Sequence, residues 1–330
     1  ARFPLTRPMA RRQAGELFNL TAGFVYSQIL YACIDAGLFE RLQDGPQSVD
    51  ALATALDLPP ERCRCLLRAA TALGLTQRRG AKGQDAYGLG MRGAALLGNP
   101  GVGAMVRHHA RLYADLRDPL ALLRQDQATA LSDYWPYARS ADPSTLAGAA
   151  IDEYSALMAE SQSFISADVL AAYSLKGHRQ LLDIAGGEGA FVAAAARRWP
   201  HLRAGVFDLP AVASRAQDRF AREGLTDRLT AHGGDLFRDA LPRGADIVSL
   251  VRVLHDHDDE PAMAILRAAR AALDPGGVLM IAEPMAGTRG AEPVGDGYFG
   301  IYLLAMGSGR PRRAAELTEM ARTAGFRRVR

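Results

Sequence analysis

Lysine is nearly missing from this 330-residue chain: Lys82 and Lys176 are the only two, so arginine carries almost all of the positive charge. Lysine and arginine together number 39 against 36 aspartates and glutamates, a formal net charge of only +3. No long block of like charge occurs either, which excludes a basic arm of the kind that wraps nucleic acid. Cysteine is scarce. Cys33, Cys63 and Cys65 are odd in number and two of them lie one residue apart, which fits neither a disulfide framework nor a zinc site. They read as buried or half-buried thiols of a protein from a reducing cytosol. Uninterrupted apolar runs are short, and none reaches the roughly 18 residues of a membrane-spanning helix. The start, ARFPLTRPMARRQ, is basic but has no signal-peptide core behind it and no initiator Met, so it reads as trimmed.

What is present is enough for two cores. The length fits two domains. Apolar residues at 48% and charged residues at 23% give the balance of an ordinary globular protein. Residues 14–42 repeat apolar side chains at three- and four-residue intervals and predict a helix. Ser48 ahead of VDALATAL predicts a capped helix. LDLPPERCRCLLRAATALGL predicts a second, starting after Pro59 and Pro60 and ending near Gly74. TQRRGAKGQDAYGL then offers two short extended pieces around a glycine-containing turn. Together these make a winged-helix pattern. It serves either DNA reading, with Arg62, Arg64 and Arg68 facing phosphates, or dimerisation. The low net charge and the long domain that follows favour dimerisation. Residues 95–175 read as helical, broken at Pro119 and by the loop YWPYARSADPS. Tyr154, Met158 and Ser161 share one face of the last helix.

From residue 179 the rhythm changes. RQLLDIA, LRAGVFDLP, LTAHGGDLF, ADIVSLVRVLH and GGVLMIAEP read as strands. AFVAAAARRWP, AVASRAQDRFAREG and DEPAMAILRAARAALDPG read as helices between them. Alternation of this kind predicts an α/β fold with a parallel, doubly wound sheet. Ligands then bind at the carboxyl ends of the strands, where the strand order reverses.

The first strand-to-helix turn is LLDIAGGEGAF. Gly186, Gly187 and Gly189 let the backbone bend tightly and approach a ligand with no Cβ in the way. Such a turn alone serves NAD, FAD, a nucleotide or S-adenosylmethionine. Asp183 closes the first strand, Asp208 the second and Asp235 the third. An acid after the second strand suits ribose hydroxyls, a feature shared with dinucleotide folds.

DIAGGEG, FDLP, GGDLF, VRVLHDHDDE and AEP, in this order and spacing, resemble the small-molecule O-methyltransferases of the plant-caffeate and bacterial antibiotic type. More narrowly, EYSALMAESQ, LVRVLHDHDDEP and the stretch from IAEPMAGT to GSGRPR resemble the carotenoid-pathway branch of purple photosynthetic bacteria. The resemblance covers nearly the whole chain. It implies a Rossmann-like methyltransferase sheet preceded by a mostly helical winged-helix dimerisation domain, with S-adenosylmethionine as cofactor and a homodimer as the assembly. The implied boundaries are 1–110 for the dimerisation domain, 111–175 for a helical linker and cap, and 176–330 for the catalytic domain. The family's last strands are missing after GFRRVR.

The resemblance also implies roles by position. Asp183, Ala185, Gly186 and Gly187 lie against the methionyl part of the cofactor. Asp208 holds the ribose hydroxyls with Leu209 beside it. Asp235 accepts from the adenine amino group, Leu236 packs on the ring, and Phe237 belongs to the same cofactor site. Arg252 stands where the family has lysine, and Met158, Ser161 and Tyr154 lie on a helix that closes over the site. There are departures. Ala185 replaces a glycine, His257 replaces a tryptophan beside the adenine, and a second supporting glutamate is absent near Pro311.

Methyl transfer from a sulfonium is an in-line displacement, so the enzyme must hold an oxygen nucleophile near the methyl carbon and exclude water. A histidine titrating near neutrality suits removal of the hydroxyl proton. His255 is the expected base, Glu283 the group that fixes its tautomer, and Asp256 an orienting neighbour. HDHDDE has no zinc spacing, and no required metal is expected. Tyr298, Phe299, Tyr302 and Met306 supply an apolar and aromatic lining for substrate, expected between the sheet's carboxyl edge and the helical N-terminal part. The expected acceptor is the hydroxyl of an acyclic carotenoid of the demethylspheroidene or hydroxyneurosporene type, which brings transient contact with a membrane surface. The alternatives are O-methylation of a phenol or polyketide, C-methylation of a pigment, and a winged-helix regulator with a degenerate ligand domain.

Overall fold

The computed structural model describes residues 7–80, 85–124, 128–134, 162 and 165–330; Tyr154, Met158 and Ser161 lie outside the described residues. The chain divides into two compact units, Ala1–His109 and Ala110–Arg330.

The first unit contains α1 (Arg7–Asp35), α2 (Leu38–Leu42), β1 (Gln47–Ser48), α3 (Val49–Ala55), α4 (Pro60–Ala72), β2 (Thr76–Arg78), β3 (Ala86–Leu89) and α5 (Met91–Leu97), and α6 (Pro100–Asp115) spans the division. The helix predicted over 14–42 is two helices, because Gly37 adopts φ 69° and turns the chain between them. Ser48 caps α3 by accepting a hydrogen bond from the Ala51 N–H at 3.2 Å. Pro60 opens α4 at a position where its missing N–H costs nothing. The three short strands pair antiparallel in the order β1-β3-β2. Cys33, Leu38, Leu52, Cys63 and Leu67 form the centre of this unit's core.

Two expectations need correction here. Cys65 is exposed rather than half-buried. Two positions along a helix turn about 200°, so Cys63 and Cys65 face opposite sides of α4. The helix Met9–Asp35 also contains, by length and composition, an 18-residue window apolar enough to cross a membrane, with a mean hydropathy of 1.4 in that window. Asn19, Thr21, Ser27 and Gln28 interrupt the apolar run without removing its average character. Leu17, Phe18, Leu20 and Phe24 of α1 are exposed, an apolar surface of the kind that marks an interaction face.

The second unit adds α7 (Pro119–Arg124), α8 (Ala130–Tyr134), β4 (Gln180–Ile184), α9 (Ala190–Arg198), β5 (Arg203–Asp208), α10 (Pro210–Arg222), β6 (Leu229–Gly233), β7 (Ala245–Val251), α11 (Asp259–Ala272), β8 (Leu273–Ala282), α12 (Gly300–Met306) and α13 (Ala314–Thr323). A 3₁₀ turn occupies Leu254–Asp256 and a π-helical turn Pro293–Phe299. All five strands of the sheet run parallel in the order β6-β5-β4-β7-β8. The order reverses between β4 and β7, which fixes where a ligand crevice opens.

Both faces of this sheet are buried, so its strands read as near-continuous apolar runs. Leu181, Val206 and Ile247 enter one core with Phe191 and Phe220, while Leu182, Phe207 and Val248 enter the other with Ile265 and Leu266. That alternation is the period of two along each strand. Asp235 sits two residues past the end of β6, in the turn that follows, rather than closing the strand.

Candidate active site

The crevice is built from the turns at the carboxyl ends of β4, β5, β6, β7 and β8. After β4 the chain must reverse within a few residues, and Ala185, Gly187 and Gly189 do so with φ of 52°, 60° and 72°. Ala185 therefore takes a left-handed backbone form that favours glycine, at a cost of about 1–2 kcal/mol for an L-residue. A Cβ on Gly186 would fall 2.2 Å from Asp183 Oδ2, so this position admits only glycine.

The acids converge on this turn. Asp208 accepts from the Gly187 N–H at 2.8 Å through one oxygen and from the Leu209 N–H at 2.8 Å through the other. Burial pushes its carboxyl up to about 6, against the pull of those two N–H groups. Asp183 accepts from the Ser249 hydroxyl at 2.5 Å, and its other oxygen is buried with no hydrogen-bond partner. Burial raises Asp183 to about 7; the Ser249 bond opposes this and the charge of Asp208 adds to it. Ser249 was not picked out from the sequence. Its signal is a polar residue in the middle of the apolar run IVSLV of β7.

On the far side, the Asp235 carboxylate accepts from the Phe237 N–H at 2.8 Å. Leu236 packs against the core, and the half-exposed Phe237 meets the ring of His257 edge-on at 5.5 Å. Burial, reinforced by the nearby His255 and Arg312, keeps the His257 pKa below its ordinary value. The glycine cradle, the buried unpaired oxygen of Asp183, the two-oxygen Asp208 and the Leu236–Phe237–His257 wall together fit a nucleoside with a charged tail. Arg252 adopts φ 59°, and its N–H donates to the Ala282 carbonyl at 2.8 Å.

His255 lies in the 3₁₀ turn just after β7 and is 5% exposed. Glu283, directly after β8, does three things at once. One oxygen accepts from the Val253 and Leu254 N–H groups at 2.9 and 2.7 Å, and the other meets His255 Nδ1 at 2.5 Å. His255 Nε2 lies 3.1 Å from an oxygen of Asp256. Burial pulls the imidazole pKa down, but the Asp256 and Glu283 charges outweigh it and the Arg252 cation, so the net shift is upward. Burial likewise raises Asp256, with His255 and His257 opposing.

The Phe299 ring meets the His255 ring edge-on at 5.8 Å. Tyr298 contacts Phe299 at 5.0 Å and stacks on Tyr302 at 5.6 Å. Tyr298 and Phe299 come from the π-helical turn, a distortion frequent at functional sites. Tyr302 and Met306 are buried on α12. Among the described residues, no group of three or more His, Cys, Asp or Glu side chains is arranged to hold a metal ion.

Residues 127–327 match the O-methyltransferase domain, and residues 18–99 match the O-methyltransferase dimerisation domain. The demethylspheroidene O-methyltransferase of Cereibacter sphaeroides is 44% identical over 99% of this chain and 86% of its own length. Among solved structures, the mitomycin 7-O-methyltransferase superposes with a TM-score of 0.78 at 26% identity, covering 98% of this chain and 95% of its own. Human N-acetylserotonin methyltransferase in complex with S-adenosylmethionine superposes with a TM-score of 0.79 at 24% identity, covering 96% of this chain and 92% of its own.

Proposed function

Because the chain belongs to the O-methyltransferase family, with S-adenosylmethionine as methyl donor and a dimerisation domain of its own, we propose that it methylates the hydroxyl of an acyclic carotenoid of the demethylspheroidene type. The observation that carries this substrate is the 44% identity to such an enzyme over nearly the full chain. The aromatic cluster of Tyr298, Phe299 and Tyr302 beside His255 agrees with a polyene acceptor.

In this reading Asp208 holds the ribose, Asp235 and the Leu236–Phe237–His257 wall hold the adenine, and the β4 turn with Arg252 faces the methionyl end. S-adenosylmethionine supplies a methyl already activated by positive sulfur. His255 acts as general base through Nε2, with Nδ1–H donated to Glu283. An aliphatic alcohol is far less acidic than an imidazolium, so His255 takes the proton late in the displacement, and alignment supplies much of the acceleration. Asp256, 3.1 Å from Nε2, then stabilises the imidazolium. A polyene dissolves in the bilayer. The enzyme accordingly works in the cytoplasm as a homodimer that meets the photosynthetic membrane to collect its substrate.

Supplying the purified chain with methyl-labelled cofactor and a membrane pigment extract tests the substrate. The label is expected in a methoxylated acyclic carotenoid. Label only in a phenol, a polyketide or a C-methylated pigment rejects the carotenoid reading.

Glu283→Gln tests the dyad. Gln retains an oxygen for the Val253 and Leu254 N–H groups but removes the charge on Nδ1. We expect kcat to fall by about 10- to 100-fold, the worth of a charge-assisted hydrogen bond. The base acts when neutral, so the rate rises with pH through the His255 pKa, which lies above its ordinary value. Losing the Glu283 charge lowers that pKa and moves the acid limb to lower pH, with Asp256 and Arg252 still in place. An unmoved limb in the pH profile of kcat rejects the pairing.

A further inference from the structure

The turn that carries His255 is too short to hold its own shape. It spans three residues, and its internal bonds, Asp256 N–H to the Val253 carbonyl and His257 N–H to the Leu254 carbonyl, are long at 3.3 Å. Its N–H side is braced by Glu283, as described. Its carbonyl side is held by Arg312, whose side chain is 1% exposed. Arg312 Nη1 donates to the Leu254 carbonyl at 2.6 Å and Nη2 to the His257 carbonyl at 2.7 Å, while Nε and Nη2 reach Asp259 at 3.0 and 2.8 Å. A buried cation is costly unless paired and fully hydrogen-bonded, and here each donating nitrogen has an acceptor in or directly after the turn.

The segment leading to Arg312 lies on the same turn. The Ser308 hydroxyl donates to the Asp256 carbonyl at 3.0 Å, and the Gly309 N–H donates to Asp258 at 3.0 Å. A Cβ on Gly309 would fall 2.0 Å from the His255 carbonyl oxygen, so the strap packs backbone against backbone. This strap follows α12 directly and occupies the place where the sequence lacks the second supporting glutamate.

We propose that Arg312 is the positioning residue for His255: it fixes the two carbonyls that flank the histidine, so that the imidazole meets the acceptor hydroxyl in line. The inference rests on the reading of His255 as base. Only a planar fork with several fixed donors spans both carbonyls and Asp259, so lysine does not replace it.

The test uses the full chain, methyl transfer to demethylspheroidene in detergent, calorimetric binding of S-adenosylhomocysteine, and the ¹⁵N-resolved signal of the His255 Nδ1–H. Arg312→Lys is expected to bind the nucleoside within about threefold of wild type while kcat falls about 100-fold, the cost of a misplaced reacting group. The Nδ1–H signal shifts or broadens. Combined with His255→Ala, it adds less than about threefold, because both changes remove one function. A kcat within about threefold of wild type, or losses that multiply in the double variant, overturns the proposal. If Arg312→Lys does not fold, Asp259→Ala removes the exposed anion that anchors the same guanidinium and is read by the same two criteria. A His255→Ala enzyme that turns over normally rejects the base reading itself. A slow His255→Ala beside a fast Arg312→Lys rejects only the role of Arg312.

Discussion

His255→Ala is expected to lower kcat by about 100- to 1,000-fold, the lower part of the range for loss of a general base, while nucleoside binding stays within about threefold. The lower part follows from the acceptor. An aliphatic hydroxyl gives up its proton late, so alignment and exclusion of water, which carry much of the acceleration, persist in the variant. The fold should persist too, because Glu283 keeps its bonds to the Val253 and Leu254 N–H groups when the imidazole is gone. The residual rate should lose the rise with pH that His255 produces in the wild type, and added imidazole should restore part of it. Turnover equal to wild type in single-turnover mixing would sink the base assignment. In that case Asp256, 3.1 Å from the His255 Nε2 position, is the next candidate among the described residues.

The parts of this molecule that were legible in advance share a physical cause. Leu181 and Leu182, like Val206 and Phe207, sit on opposite faces of a sheet buried on both sides, which makes each strand a short apolar run with a turn behind it. Asp208 and Glu283 end or follow such runs, and a polar residue there has few reasons to exist other than a ligand or a partner. What escaped reading is what depends on tertiary contact. Arg312 stands in GRPRR, where it looks like one more surface arginine; only the fold brings it under the His255 turn. Ser249 is one polar letter in a strand until β4 places Asp183 beside it. The break at Gly37 and the exposure of Cys65 are matters of one or two residues on a helix surface, below what periodicity resolves. Ala185 shows the converse: the letter differs from glycine, yet the turn imposes the left-handed backbone on it.

Asp208→Asn is the second large effect we expect, and it acts on cofactor affinity rather than on the chemical step. The Asp208 carboxylate already accepts from Gly187 and Leu209, and its remaining lone pairs are what two ribose hydroxyls need. An amide has one accepting oxygen and a nitrogen that donates, so one hydroxyl loses its acceptor. Binding of S-adenosylhomocysteine should weaken by about 10- to 100-fold, the usual cost of losing a hydrogen bond to a charged group. The pH dependence separates this from a general loss of fit. Burial lifts Asp208 to about 6, so its ionised form is disfavoured before the nucleoside arrives. A carboxyl raised in the folded state contributes stability that is present below its ordinary 3.8 and lost as pH rises through about 6. Nucleoside binding favours the ionised form and reverses that sense. The wild-type affinity should therefore fall as pH drops below 6, by roughly tenfold at one pH unit below the pKa. In Asp208→Asn that dependence should vanish. If it survives the substitution, the titrating group is Asp183, raised to about 7 beside it, and the ribose contact must be reassigned.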